Sequence, residues 1–254
     1  MAMLRIDSRV SEERIKSIPP PEFTDTWHPY SHGKILSLIE NVAKKENLPI
    51  QEKAYSLSAD GGRMVGVWTL KEKNTKHIGK DTIFQALFFR NSIDKSYAFG
   101  LNAGTQVHIC TNLNVFGDFL EFRRHTGGVD DGVMEEVITR GLSSISGRLK
   151  PLLEWHDSMR LVPLGDTEVK SLVYDAIQDQ VISKQRLPQF HQLLFGESHK
   201  YDPSSLFGFH EACTDLISGL SMVGDFQEKQ NKLNELIVSR YADKLAPLPV
   251  PSLN

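Results

Sequence analysis

The spacing of apolar residues changes twice along this chain, and these changes limit the folds it can adopt. Residues 32–46 repeat apolar side chains at helical spacing, residues 54–113 largely alternate them as strands do, and helical spacing returns after Gly128. The pattern predicts an α+β fold. We expect an N-terminal helix, a roughly five-stranded and mainly antiparallel sheet, a long helix and a helical C-terminal half.

Turn and cap residues indicate where these elements begin and end. Ser31 is a suitable N-cap for the first helix, and Pro49 ends it. Asp60-Gly61-Gly62 has the composition of a tight hairpin turn between two alternating runs. Three further strand-like runs follow: IFQALFFRNS, KSYAFGLNAG and QVHICTNL.

The C-terminal half reads as a series of helices. Asp130 or Asp131 is suited to cap a helix that extends to about Leu153. Helical patterns then continue over residues 166–183, 187–195, 204–219 and 225–243.

Proline-rich segments divide the chain into four predicted units. Pro19-Pro20-Pro21 favours extended backbone, so residues 1–30 are interpreted as an extended arm that packs through Phe23, Trp27 and Tyr30. Residues 31–155 then form the α+β core domain, residues 156–245 a helical region, and the Pro-rich residues 246–254 a flexible tail.

The composition excludes several classes of protein. Hydrophobic residues make up 40% and charged residues 24%, as in a soluble globular protein. No apolar run approaches the roughly 18–20 residues of a membrane helix. The N-terminus lacks the apolar core of a signal peptide, and the two cysteines lie too far apart in sequence to indicate a disulfide framework. We therefore expect a cytoplasmic protein with no membrane partner.

Four sequence blocks resemble one family. They are PEFTDTWHPYSH, FFRNSIDKSYAFGL, VHICTNLNVFGDFLEFRRHTGG and SLFGFHEACTDL, which together extend from about Phe23 to Leu216. The chain resembles an uncharacterised family of phage and plasmid-like proteins, a domain of unknown function carried by bacteriophages, plasmids and integrated elements. Phe207 stands where that family often has a Trp, and it keeps an aromatic ring there.

The resemblance implies a mobile-element protein in the cytoplasm of a bacterial host, without a settled activity. Phage genes of this kind often handle DNA. The order of hairpin, further strands and long helix is also similar to that of single-strand annealing proteins, which bind DNA in a groove between sheet and helix. This second comparison concerns topology alone and does not establish function.

The block that contains Cys110 concentrates residues capable of metal binding or catalysis. His108 and Cys110 would point to the same face of a strand, and His125 is a third possible ligand. A structural zinc site normally has four ligands, often as two close pairs, and this block offers one such pair. Cys110 with His125 as base resembles no nucleophile elbow or protease signature. We predict no metal, no cofactor and no catalytic residue, with Cys110 buried in a strand.

Anion binding is the stronger interpretation of the same block. A Gly-Gly pair before a helix start lets a phosphate approach backbone amides, and arginine donates paired hydrogen bonds to phosphate oxygens. Asp130 and Asp131 would repel an anion if they face it, and a loop of solvated arginines remains the alternative. The candidate residues in this block are Arg123, Arg124, His125, Thr126, Gly127 and Gly128.

A second polar cluster lies between two predicted strands and at the end of the next one. Its candidates are Arg90, Asn91, Lys95 and Asn112, although Asn91-Ser92 before Asp94 also has the composition of a simple turn. If the sheet brings these cations beside Arg123 and Arg124, they form a basic strip. Aromatic side chains near them can stack bases, but most must form the core, so at most two are expected to be free. Those aromatics are Phe88, Phe89, Tyr97, Phe99, Phe116 and Phe122.

Two other blocks are interpreted as structural. Trp27 is expected to anchor the arm and His32 to lie in the first helical turn, with His28 and His32 beside a ligand as the alternative. In SLFGFHEACTDL, Phe207, Ala212 and Leu216 form a packing face.

Three functions remain in order of preference. The first is a mobile-element protein that binds nucleic acid, with single-stranded DNA favoured, in a recombination or annealing-like role without catalysis. The formal net charge of −3 argues against coating duplex DNA through overall charge but permits a local basic groove. The second is a counter-defence protein that inhibits a host protein, and the third is a phosphoester or nucleotide enzyme that uses His125 with Asp118. A homo-oligomer is expected because the sheet edges need cover.

Overall fold

The computed structural model describes residues 9–71, 76–78, 81–107, 112–115, 121–126, 130–218 and 226–247. Within these ranges the helices are α1 (Glu12–Lys16), α2 (His32–Lys45), α3 (Asp131–Arg160), α4 (Asp166–Gln178), α5 (Leu187–Phe195), α6 (Leu206–Ser218) and α7 (Phe226–Tyr241), with a 3-10 turn at Lys184–Arg186 before α5. The strands are β1 (Ile50–Leu57), β2 (Arg63–Leu70), β3 (Lys76–Ile78), β4 (Asp81–Ser92), β5 (Phe99–Val107), β6 (Asn112–Val115) and β7 (Glu121–Arg123).

All the described strands pair in one antiparallel sheet, ordered β1-β2-β4-β5-β6, with β3 against β4 and β7 against β5. The predicted combination of helices with an antiparallel sheet is confirmed. The described sheet has seven strands, not the predicted five, because short strands pair with different parts of the same longer strand. β6 pairs with residues 104–107 of β5, whereas β7 pairs with residues 99–101.

The predicted strand QVHICTNL is wrong as a single element. β5 ends at Val107, β6 begins at Asn112, and these two residues face each other as antiparallel partners. A continuous strand cannot pair with itself in this way, so the sequence here supplies the two arms of a hairpin. Cys110 and His108 lie outside the described residues.

Side chains of the sheet alternate between two separate hydrophobic cores. Val67 and Phe88 point into one core with helices α4 to α7, whereas Trp68 and Phe89 point into the other with α1 and α2. Strands buried on both faces show near-continuous apolar runs, as β2 does in RMVGVWTL. The sheet is therefore the middle layer between two helical layers.

Helix α3 contributes to both cores and crosses a predicted boundary. Its first half packs Met134 and Ile138 into the core of α1 and α2, and its second half packs Trp155 and Met159 into the other. The helix continues seven residues beyond the predicted end at Leu153 because these later side chains are buried. The predicted boundary at residue 155 therefore lies within α3.

Several predicted caps and turns are found in the structure. The Ser31 hydroxyl accepts a hydrogen bond from the Lys34 amide at 3.1 Å, and the Asp130 carboxylate accepts one from the Val133 amide at 2.9 Å. Gly61 adopts a φ of +73° in the β1–β2 turn, a conformation that glycine adopts without steric cost. These residues begin α2 and α3 and close the hairpin.

The N-terminal arm differs from the predicted extended segment. Residues 12–16 form α1, which Ser11 caps and whose Ile15 is completely buried. Phe23 is 77% exposed and does not anchor the arm, whereas Tyr30 is buried. Residues 9 and 10 also pair with β1, through the Val10 amide and the Tyr55 carbonyl at 3.2 Å. Part of one sheet edge is therefore covered by the chain itself.

Within the part of the chain that the structure describes, none of the helices is both long enough and apolar enough to cross a bilayer.

Candidate functional site

The N-terminal arm is joined to the segment that follows β7. The His28 amide donates to the His125 carbonyl at 3.1 Å, and the Tyr30 amide donates to Nδ1 of His125 at 2.8 Å. Trp27 forms an isolated β-bridge with Thr126. Two segments about a hundred positions apart in sequence are thereby held side by side.

The turn between β4 and β5 forms the opposite wall of the site. The Ser92 hydroxyl donates to the Tyr97 carbonyl at 2.7 Å and accepts from the Tyr97 amide at 3.1 Å. The Asp94 carboxylate accepts from the Ser96 amide at 3.0 Å, and it lies 3.7 Å from the Arg63 guanidinium. Within this ordered turn Lys95 has a φ of +68°.

These three segments enclose a pocket of about 510 Å³, which we call the cationic pocket. Its volume lies within the range of about 300–1,000 Å³ that is typical of small-ligand sites. None of the described lining residues carries a carboxylate. They are Thr26, Trp27, Arg90, Lys95, Ser96, Tyr97, Ala98, Arg124, His125 and Thr126.

Two cations of the pocket lie over aromatic rings. The Arg90 guanidinium is 4.7 Å from the centre of the Tyr97 ring, and the Lys95 ammonium is 4.6 Å from the centre of the Trp27 ring. Burial lowers the pKa of Arg90, but an arginine remains protonated at neutral pH. Burial also raises the pKa of Tyr97, so its phenol stays neutral. The rings of Tyr97 and Trp27 attract the Arg90 and Lys95 cations through their π faces and carry no negative charge of their own.

His125 lines the pocket as a neutral imidazole. Burial lowers its pKa to about 4, with a smaller contribution from nearby His32. Because Nδ1 accepts the Tyr30 amide hydrogen bond, the single ring proton must be on Nε2. Nε2 is buried and has no hydrogen-bond partner among the described residues. In this tautomer the imidazole can donate to an anion but cannot accept a proton at Nε2.

Five of the predicted anion-binding residues line this one pocket. They are Arg90, Lys95, Arg124, His125 and Thr126. Arg123 ends β7 opposite Phe99, next to the pocket residue Ala98, but its side chain lies outside the described part. Gly127 and Gly128 also lie outside the described residues.

Two predicted residues do not belong to the site. Asn91 is completely buried, and its Nδ2 donates to the Tyr30 carbonyl at 3.1 Å and lies 3.0 Å from Nδ1 of His32. Asn112 pairs with Val107 at the far end of β5, about 27 Å from the end that β7 pairs with, at roughly 3.4 Å per residue. The side-chain alternation of β4 places Asn91 away from the lining of the cationic pocket, and the antiparallel return of β6 places Asn112 at the other end of β5.

The histidines of the N-terminal block have structural contacts. Nε2 of His32 lies 3.0 Å from the Gly61 carbonyl and donates to it, and burial lowers the pKa of His32. The His28 ring lies 5.4 Å from the Phe23 ring, outside the described lining of the cationic pocket. Trp27 is the residue of this block that the sequence interpretation assigned only to anchoring.

Asp130 and Asp131 do not face the cationic pocket. They line a separate depression beside Tyr30 and Lys34. Asp130 caps α3, while the Asp131 carboxylate accepts from the Tyr30 hydroxyl at 3.1 Å and pairs with the Lys34 ammonium at 2.6 Å. Their charges therefore do not oppose an anion in the cationic pocket at close range.

The other sequence candidates for chemistry cannot be placed beside His125. His108, Cys110 and Asp118 all lie outside the described residues. The described side chains do gather one set of potential metal ligands elsewhere, in the C-terminal core: His156, His210 and Glu211. The sequence interpretation assigned the block SLFGFHEACTDL to packing because Phe207, Ala212 and Leu216 form a helical packing face.

Comparison of the chain with protein-family models, with curated proteins and with solved structures found no match.

Proposed function

We propose that this chain is a phage or mobile-element protein that binds nucleic acid without catalysis, with single-stranded DNA as its ligand. One observation carries the proposal: three cations, a neutral imidazole donor and two aromatic rings line a pocket whose described lining has no carboxylate. The resemblance to phage and plasmid-like proteins supports the biological setting.

The cations of the pocket are suited to hold phosphate oxygens. Arg124 is exposed, Lys95 is exposed above Trp27, and Arg90 is held over Tyr97. Arginine offers paired donors, lysine a compact charge, and the imidazole of His125 a further neutral donor. A site with these few cations contacts only a few phosphates, so the affinity of one chain should be modest and should fall with salt.

The aromatic rings favour single strands over duplex. Unpaired bases stack on aromatic side chains, at about 1–3 kcal/mol per base, whereas paired bases present only their edges. Trp27 is half-buried and lines the pocket, in contrast to Phe88, Phe89 and Phe99, which are completely buried in the two cores. A net charge of −3 also disfavours the extended contacts that duplex binding requires.

Fluorescence anisotropy with labelled single-stranded and duplex oligonucleotides, titrated across salt, tests the proposal. The decisive variant is Lys95→Ala with Arg124→Ala. Its matched control is Lys170→Ala with Lys184→Ala, which removes the same two charges from exposed positions on α4 and the 3-10 turn. We expect the pocket variant to bind single strands at least tenfold more weakly and the control to bind as the unmodified chain does.

The salt dependence and the two double variants distinguish DNA binding at the cationic pocket from the alternative explanations. Loss of two phosphate contacts should reduce the salt slope by about 1.4, at roughly 0.7 per contact for single strands. Equal losses in both double variants would show that overall charge, not the pocket, attracts DNA. No binding even at low salt would overturn the proposal and leave the counter-defence hypothesis, a protein that inhibits a host protein, as the one to test.

A further inference from the structure

His156, His210 and Glu211 form a buried cluster in the C-terminal core, on helices that contribute none of the described lining of the cationic pocket. His156 comes from α3, and the other two residues are neighbours on α6. Their exposed fractions are 0%, 0% and 1%. Ionisable side chains are rarely buried so completely unless they pair, bond or coordinate a metal.

The spacing of the cluster suits a metal centre. One ligand atom from each of the three side chains lies within 4.8 Å of the other two. Nδ1 of His210 and Oε1 of Glu211 are 3.2 Å apart. Two ligands of a tetrahedral ion with bonds of about 2.0–2.1 Å are separated by about 3.4 Å, so this pair already has the spacing of two adjacent ligands.

The donor set points to a particular class of ion. Imidazole nitrogens favour zinc, copper, iron and nickel, whereas calcium and magnesium favour oxygen ligands. Two histidines with one glutamate form a three-ligand set that zinc uses in proteins. We propose that His156, His210 and Glu211 bind one divalent transition-metal ion, with zinc the best match, as a link between α3 and α6.

The surroundings of the cluster support binding of this kind. The His156 and His210 rings lie edge to face, with their centres 5.7 Å apart. The Trp155 ring lies 5.7 Å from the His156 ring and 5.5 Å from the His210 ring, and the Phe207 ring lies 5.8 Å from His156. This aromatic shell limits the access of water and orients the ligands.

One nearby charge opposes the ion. The Arg160 guanidinium stacks on Phe207 at 3.6 Å and is close enough to His156 to disfavour a second positive charge. The Glu211 carboxylate compensates part of that repulsion. The glutamate is therefore the ligand whose charge should matter most, since two neutral imidazoles beside an arginine would bind a dication weakly.

Metal content and a cobalt spectrum of the full chain test this proposal. The purified protein is stripped with chelator, loaded with zinc and desalted, and its metals are measured by mass spectrometry. We expect close to one zinc per chain. Cobalt in place of zinc should give the visible absorption of a protein-bound ion, and zinc should raise the unfolding temperature of the stripped protein, as a ligand of the native state does.

Conservative variants assign the ion to this cluster. Glu211→Gln and His210→Gln retain much of the side-chain volume and should lose the bound zinc and the cobalt spectrum. His191→Gln and His199→Gln, at exposed positions, should retain both. If one core variant fails to fold, the other still assigns the ion, and zinc well below one per unmodified chain overturns the proposal without any variant.

Two results would overturn the proposal: zinc well below one per chain after loading, or one zinc retained in a folded Glu211→Gln variant. Neither result bears on DNA binding at the cationic pocket, because metal content is measured without nucleic acid.

Discussion

The backbone amide of Tyr30 donates a hydrogen bond to Nδ1 of His125 at 2.8 Å, and this bond connects the N-terminal arm to the segment after β7. It also determines which ring nitrogen carries the proton, because Nδ1 accepts this bond and the proton is therefore on Nε2. Protonation of Nδ1 would break the bond, because an N–H cannot accept a hydrogen bond from an amide. The packing of the arm should therefore depend on pH.

We expect the free energy of unfolding to fall as the pH decreases from about 6.5 to about 4, the ordinary pKa of histidine and the lowered pKa of His125. In this window the unfolded chain binds the proton and the native His125 does not, so acid favours unfolding. The contribution of His125 is up to about 3 kcal/mol, at roughly 1.4 kcal/mol per pKa unit. Buried His32 and His156, whose pKa values are also lowered, act in the same direction.

His125→Asn isolates this contribution, since an amide oxygen can accept the Tyr30 amide bond but does not titrate. Denaturant unfolding at several pH values should give a shallower pH dependence for this variant than for the unmodified chain. His199→Asn, at an exposed position, serves as the control. Identical pH profiles for His125→Asn and the unmodified chain would contradict the assignment.

Much of the cationic pocket could be predicted from sequence because its residues flank strand ends. Arg90 lies near the end of β4, Lys95 in the turn that leads to β5, and Arg124 directly after β7, and these neighbouring antiparallel strands bring those positions to the same end of the sheet. Trp27 could not be assigned to the site in this way. Its position depends on the pairing of the arm with residues 125 and 126, and a pairing between segments so distant in sequence leaves no local pattern.

The cluster in the C-terminal core was missed for a related reason. His156 and His210 are on different helices, and neither has the close ligand spacing that makes a metal site visible in sequence. Helical periodicity predicted a packing face for α6, and its residues are indeed buried. Periodicity cannot distinguish an apolar buried residue from a buried ligand, since both follow the same spacing.

Trp27 should report DNA binding through its own fluorescence. The chain has three tryptophans, and Trp68 and Trp155 are completely buried whereas Trp27 is half-buried. Iodide should therefore quench only the Trp27 component, and single-stranded DNA should quench the same component by stacking on the ring. In Trp27→Phe both effects should disappear. Persistent iodide quenching in that variant would show that a second tryptophan is exposed.

Gly66 should be intolerant of any side chain because of one aromatic ring. A Cβ at Gly66 would lie 2.1 Å from the Phe89 Cζ on the neighbouring strand, and Phe89 is completely buried and cannot move away freely. We expect Gly66→Ala to lower the free energy of unfolding by about 1–3 kcal/mol, as overpacked cores do. Thermal and denaturant unfolding would measure the loss.

A double-mutant cycle with Phe89→Leu tests the cause of that loss. The smaller side chain creates space for the new methyl group, so the double variant should be more stable than the sum of the two single changes indicates. Strict additivity would mean that Gly66 matters through its backbone and not through the Phe89 ring.

Two substitutions of Lys95 distinguish the role of its ammonium in DNA binding from the strain of its backbone conformation. Its φ of +68° is unfavourable for any side chain with a Cβ and is accessible to glycine. Lys95→Gly and Lys95→Ala both remove the ammonium that lies over Trp27, but only the glycine relieves the strain. We expect the glycine variant to be more stable than the alanine variant by about 1 kcal/mol. Both should bind single-stranded DNA equally weakly, as measured by anisotropy at low salt. If the glycine variant kept full affinity, the ammonium of Lys95 would have no part in phosphate binding.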